Sequence, residues 1–348
     1  MKTIMLLLMS VLMSEATVVA RWESQSSGTG VRLRGVSAVS GSIAWASGDK
    51  GTYLRTTDGG RTWQAGTVPG ALELDFRDVA AFDADTAYLL SIGEGEKSRI
   101  YKTIDGGARW TLQFKSRRPT AFFDAMAFWD RDHGIAMSDP VDGKFLIITT
   151  SDGGATWQEA PSSGMPTALA GEGAFAASGT CIAVRDKRHV WFGTGGPAGA
   201  RVFRSTDRGR SWQVANTPVV SGKSAGIFSV AFADARHGVV VGGDYTRESE
   251  AKNNVAMSRD GGQTWTAING AAPNGYRSCV AFIPGVSRPL LISAGPSGSD
   301  YSFDGGESWK SLSAEGFHSV SFVGRGNAIG WAVGENGRVA KYAGAPPN

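Results

Sequence analysis

Thr56-Thr57-Asp58-Gly59-Gly60-Arg61-Thr62-Trp63 is the first of six copies of one phrase, Ser/Thr-x-Asp-x-Gly-x-x-Trp. The others occupy 103–110, 150–157, 205–212, 258–265 and 302–309. Their starts (56, 103, 150, 205, 258, 302) lie 47, 47, 55, 53 and 44 residues apart. A period near fifty is the mark of a propeller or solenoid, in which each repeat buries its apolar faces only against its neighbours.

The phrase reads as a hairpin turn. Its Asp side chain can accept backbone N–H groups two or three residues on, and its fifth-position Gly tolerates the positive φ of a tight turn. The terminal Trp is large enough to fill the gap between two sheets. In these features it resembles the Asp-box, or BNR repeat, of sialidases, several glycoside hydrolases, sortilin-type receptors and photosystem II assembly factors. The resemblance implies a structural turn on the outer side of each blade, away from the functional face, so the phrase itself is assigned no chemistry.

Ahead of each copy lie strand-like runs, the innermost being 36–39, 79–82, 125–128, 181–184, 230–232, 279–282 and 320–322. These are seven, one more than the phrases, and rich in the small and β-branched residues that suit strands crowded on an axis. The last unit, 317–342, has three strands and no phrase. The missing strand is expected from the other end, where Ala20-Arg21-Trp22-Glu23 repeats the pattern of Thr156-Trp157-Gln158-Glu159. The expected fold is an all-β, seven-bladed propeller of four-stranded antiparallel blades over 21–345, closed by an N-terminal strand that leaves no unpaired inner edge.

Residues 1–20 read as a signal peptide: Lys2, an apolar run to Met13, then the small residues Val18-Val19-Ala20. That run is shorter than the roughly 20 residues a membrane span needs. An exported chain, periplasmic or extracellular, without stable membrane insertion is therefore expected. The formal net charge of +3 and the absence of a long basic run argue against a nucleic-acid partner. Cys181 and Cys279 fall at the same inner-strand position of non-adjacent blades and read as small buried hydrophobes rather than a disulfide. Two Cys and four scattered His have no metal-ligand spacing, and no phosphate loop or dinucleotide fingerprint is present, so no cofactor is expected.

In a propeller the functional face carries the starts of the inner strands and the loops between strands two and three. Counting five residues back from Val39, Phe82 and Phe282 gives Arg34, Arg77 and Arg277, a trio able to grip a carboxylate or phosphate bidentately. The opposing expectation is that each pairs locally, with Asp75, Asp78 or Glu335 for example. The longest loop, 242–254, carries Asp244, Tyr245, Arg247, Glu248 and Glu250, more than a plain hairpin needs.

The whole mature chain is similar to the photosystem II stability and assembly factor propellers in its leader, seven repeats, outer turns and arginines near the funnel. That resemblance implies a non-enzymatic scaffold that holds a protein or peptide partner, with the arginines on an acidic segment and the 242–254 loop adding specificity. A sialidase-like or xyloglucan-cleaving glycosidase is the alternative, which leaves a glycan as a further possible partner. Its Arg-Ile-Pro signature is absent, however. Its acids and nucleophile would have to be improvised from Tyr245 or Tyr276, Glu248, Asp244, Asp124, Asp139 and Glu335.

Overall fold

A computed structural model describes residues 20–286, 288–324 and 328–344 of the chain; the expected leader, residues 1–19, lies outside them. Seven antiparallel sheets follow one another along the sequence. Their inner strands are Leu33–Ala38, Asp75–Ala81, Phe123–Phe128, Ile182–Arg185, Ala225–Phe232, Cys279–Phe282 and Ser319–Val323, one for each expected run. We number the blades 1 to 7 in that order. Blade 7 is completed by Arg21–Gln25, which pairs antiparallel with Val339–Ala343, with Trp22 opposite Tyr342. The expected propeller and its N-terminal closure are thus both present. Blade 5 departs slightly from the four-stranded pattern: beyond Val255–Ser258 only an isolated bridge, Met257 to Thr266, marks the outer position.

The hydrophobic core is divided into slabs between neighbouring blades. Blades 7 and 1 share Trp331, Val333, Leu33 and Trp63, and blades 1 and 2 share Trp45, Phe76 and Leu89. Each eight-residue phrase sends its Trp into such a slab. Trp63 meets the ring of Trp331 edge-on at 6.5 Å, and Trp110 meets Trp45 at 6.2 Å. A Trp at this position therefore staples its blade to the one before it.

The phrases form one turn, six times. In the first, Thr56 Oγ1 donates to Asp58 Oδ1 and accepts the Gly60 N–H at 2.9 Å. Asp58 then accepts the Thr62 N–H at 3.0 Å, four residues on rather than two or three. The same bonds recur, for instance, around Asp152 and Asp260. The longer reach is possible because the fourth and fifth residues both curl left-handed, at φ 78° for Gly59 and 84° for Gly60. In the fourth copy Arg208 adopts this conformation at φ 63°.

Candidate functional site

The connection from blade 3 to blade 4 leaves the strand Gln158–Glu159 and does not re-enter a sheet until Ile182. Part of it, residues 174–180, lies across the axis of the ring and touches blades all round it. The Ala174 N–H donates to Asp139 Oδ1 at 2.8 Å in blade 3. Ser178 Oγ donates to the Ser278 carbonyl in blade 6, and Ser319 Oγ of blade 7 donates to the Ser178 carbonyl. Thr180 Oγ1 meets Ser229 Oγ of blade 5 at 2.7 Å. Ala176, Ala177 and Ser178 are buried. The segment is a plug, and it turns the central channel into a blind cavity.

That cavity, about 450 Å³, opens on the face that carries the inner-strand starts and the loops between strands two and three. Of the residues expected at the site, Arg34, Arg77, Tyr245 and Glu248 line it. Arg77 is locally held: Nε donates to Asp75 Oδ2 at 2.7 Å and Nη1 to the Ala176 carbonyl at 2.9 Å. Arg34 is not. Among the described residues it has no carboxylate partner, its Nε has no hydrogen-bond acceptor, and Nη1 makes only long approaches, 3.5 Å to the Ala177 carbonyl and 3.4 Å to His318 Nδ1. Burial, reinforced by the positive charges of Arg77 and Arg32, lowers its pKa to about 10.

Arg277 stands apart from the cavity lining. It is buried in an ion pair with Asp300, Nε to Oδ2 at 2.6 Å, and also donates to the Tyr276 carbonyl and Ser297 Oγ. The guanidinium therefore braces the wall instead of facing the cavity, and the expected trio converges as a pair. Arg247 projects into solvent, where it meets Glu250 at 3.2 Å and Asp244 at 3.6 Å; Asp244 holds the turn by accepting from Thr246.

Tyr276 and Glu335, offered by the sequence as improvised catalytic groups, also line the cavity, whereas Phe175, Phe228 and His318 escaped the sequence reading. Phe175 of the plug stacks on Phe228, with centroids 4.0 Å apart, and Tyr276 stands edge-on to Phe228 at 4.7 Å. His318 sits between Arg34 and Glu335, its Nε2 2.7 Å from Glu335 Oε1. Because Arg34 can only donate, His318 Nδ1 accepts and Nε2 carries the proton toward Glu335. Burial, then the Arg34 charge, lowers the His318 pKa to about 4, so the ring is neutral at pH 7. The available signal was the 55-residue step between the third and fourth phrases, the longest of the five, which accommodates the plug.

Against the plug, and outside the cavity lining, lie Asp139 and its neighbour Asp124, expected from sequence at the funnel, and Asp78, expected there as a local partner for the arginines but bonded instead to the Met126 N–H. Burial raises Asp78 to about 7 and Asp139 to about 6, and holds Asp124, beside Asp139, well above the ordinary range. The turn carboxylates shift the other way: the N–H and hydroxyl of Thr156 bring Asp152 down to about 2, and those of Thr264 outweigh partial burial to bring Asp260 to about 2. A depressed acid stabilises the fold above its unfolded value and loses that contribution as pH falls. A raised acid stabilises below its unfolded value and loses it as pH rises through its folded pKa. Denaturant unfolding across pH should therefore give greatest stability near pH 4, a fall toward pH 2 and a second, progressive fall from about pH 4 that levels off by about pH 7. Asp78→Asn should flatten the second fall; an unchanged slope would remove Asp78 as its cause.

Cys181 and Cys279 are free and buried. Among the described residues there is no group of three or more His, Cys, Asp or Glu able to hold a metal, and no helix long and apolar enough to cross a membrane.

Neither known family models nor curated proteins give a match to the chain. Solved structures do, and they place the fold in the class of seven-bladed propellers. A structure titled "YCF48 bound to D1 peptide" aligns over 93% of this chain and 97% of its own, at 16% identity and a TM-score of 0.62. YCF48 from Cyanidioschyzon merolae aligns over 92% and 98%, at 18% identity and 0.63. The GH74 enzyme of Niastella koreensis aligns over 89% of this chain but 59% of its own, at 14% identity and 0.54. At these identities the likeness is one of fold.

Proposed function

We propose that the chain is an exported, non-enzymatic propeller that binds a protein or peptide partner through the blind cavity, in the manner of an assembly factor. The observation that carries this reading is Arg34, a partly buried guanidinium whose covered Nε has no acceptor and which has no ion-pair partner among the described residues, facing a cavity with an aromatic wall. A partly desolvated charge with an unpaired donor is unfavourable, and an incoming carboxylate would relieve it. The fold-level likeness to a propeller titled as bound to a D1 peptide supports the same reading.

Hydrolysis is the less supported reading. A sialidase-type mechanism would need a phenolate nucleophile, whereas burial pushes the Tyr276 phenol far up. A two-carboxylate glycosidase would draw on Glu248 and Glu335, the acids that line the cavity, and Glu335 already engages His318.

Affinity capture from an envelope extract, with wild type beside Arg34→Gln, tests the proposal. A defined protein retained by wild type and lost by the variant is the expected result; equal recovery by both would overturn it. A glycoside panel runs alongside, and turnover abolished by Glu248→Gln or Glu335→Gln would replace binding with catalysis. Arg277 is unsuited to such a test, because its loss would leave Asp300 buried and unpaired.

A further inference from the structure

The cavity has a floor, a cation and an apolar wall, and the three together restrict what can enter. The floor is the plug: Ala176 and Ala177 are buried, and the contacts of Ser178 with Ser278 and Ser319 close the axis behind them. A chain entering from solvent cannot run through the ring. It must end inside or fold back through the same mouth. At about 450 Å³ the cavity lies in the lower half of the range for ligand pockets, roughly 300–1,000 Å³, which leaves little room for a chain that doubles back.

The chemistry of the lining points the same way. Arg34 offers unsatisfied donors, with Nε unpartnered. The stacked pair Phe175–Phe228, with Tyr276 against it, forms an apolar wall in the same space. Tyr245, 48% exposed, stands at 6.2 Å from Phe228 and extends that wall outward. A cation and an apolar wall in one small cavity are met together by a residue whose carboxylate and side chain leave the same Cα. Glu248 and Glu335 also line the cavity, so further acidic residues on the ligand would meet like charge.

Resting on the binding function proposed above, we infer that the cavity receives the last residue of a partner chain, its free C-terminal carboxylate on Arg34 and an apolar side chain against Phe175, Phe228 and Tyr276. The ligand class is thus a chain end with an apolar final residue, rather than an acidic internal segment. Arg77, already engaged by Asp75 and the Ala176 carbonyl, adds positive potential beside it. Capture of chain termini by arrays of fixed donors is a recurrent mode of peptide recognition.

Fluorescence polarisation with labelled peptides tests this on the full mature protein. The set is Gly-Ser-Gly-Ser-Gly-Phe with a free end, the same peptide amidated, a free-ended version finishing in Gly, and an amidated version with an internal Asp. Amidation and the Phe-to-Gly change are each expected to weaken binding by about tenfold or more, as loss of a charge-assisted contact or of a buried ring would. Arg34→Gln should abolish the difference between free and amidated ends while leaving the fold intact by circular dichroism. Equal binding of free and amidated peptides, stronger binding of the internal Asp peptide, or no binding by any free-ended peptide at millimolar concentration would each overturn the inference. If any of these occurs while Arg34→Gln still loses the captured partner, the binding reading stands and only the chain-end assignment falls.

Discussion

Trp22→Ala is expected to lower the free energy of unfolding by about 3–5 kcal/mol, the range for truncating a buried aromatic side chain. Trp22 lies on the strand that closes the ring, is 8% exposed, and packs on Phe317 at 5.3 Å and Tyr342 at 5.5 Å. Its Nε1 donates to Ser299 Oγ of blade 6 at 3.0 Å, so the one side chain ties the closing strand to two blades. Loosening it exposes the edge of Val339–Ala343 and the slab between blades 6 and 7 together. Glu23→Ala on the same strand, whose side chain faces solvent, is the control and should move stability by no more than about 0.5 kcal/mol. Urea unfolding of both variants decides it. Equal effects would mean that the strand acts through its backbone pairing alone.

Asp300→Ala is the second large effect. It strips Arg277 of its counter-ion at a site where both side chains are 1% exposed. Removing one partner of such a pair typically destabilises by about 3–5 kcal/mol, because the remaining charge is buried without compensation. The damage should also reach the cavity. Asp300 accepts from the Asn274 amide as well as from Arg277, and Arg277 donates to the carbonyl of Tyr276, which forms part of the aromatic wall. Replacing both partners with apolar residues, as in Arg277→Met with Asp300→Leu, should recover most of the stability, since a well-packed apolar pair can substitute for a buried ion pair. Failure of the double variant to recover would locate the effect in the geometry of the 274–277 segment instead.

The ring itself was legible because a repeat states its constraint many times. Six turns with the same Asp, Gly and Trp define the outer side of the blades, and seven inner runs against six turns point to a strand borrowed from the other terminus. Trp22 could be matched to the position of Trp157 for the same reason. The site was legible only where it inherits the repeat. Arg34 and Arg77 were found by counting along the inner strands, and the same counting produced Arg277, whose position is equivalent but whose environment is not. What separates them is Asp300, 23 residues away on the third strand of the same blade, and no local pattern reports that pairing. The plug was missed for the opposite reason. Residues 174–180 belong to no repeat, and their position on the axis follows from contacts with strands far away in sequence. Without the plug the channel would have no floor, and neither Phe175 nor the blind shape of the cavity can be read from composition or period.

Arg34 is proposed to take a carboxylate from a partner, and calorimetric titration of the purified captured partner into wild type and into Arg34→Gln tests this most directly. Loss of a charge-assisted contact is predicted to weaken binding by roughly 10- to 100-fold, with the variant as stable as wild type or more so, because a partly desolvated cation has been removed. An unchanged dissociation constant in a folded variant would contradict the account and move the binding surface away from the cavity.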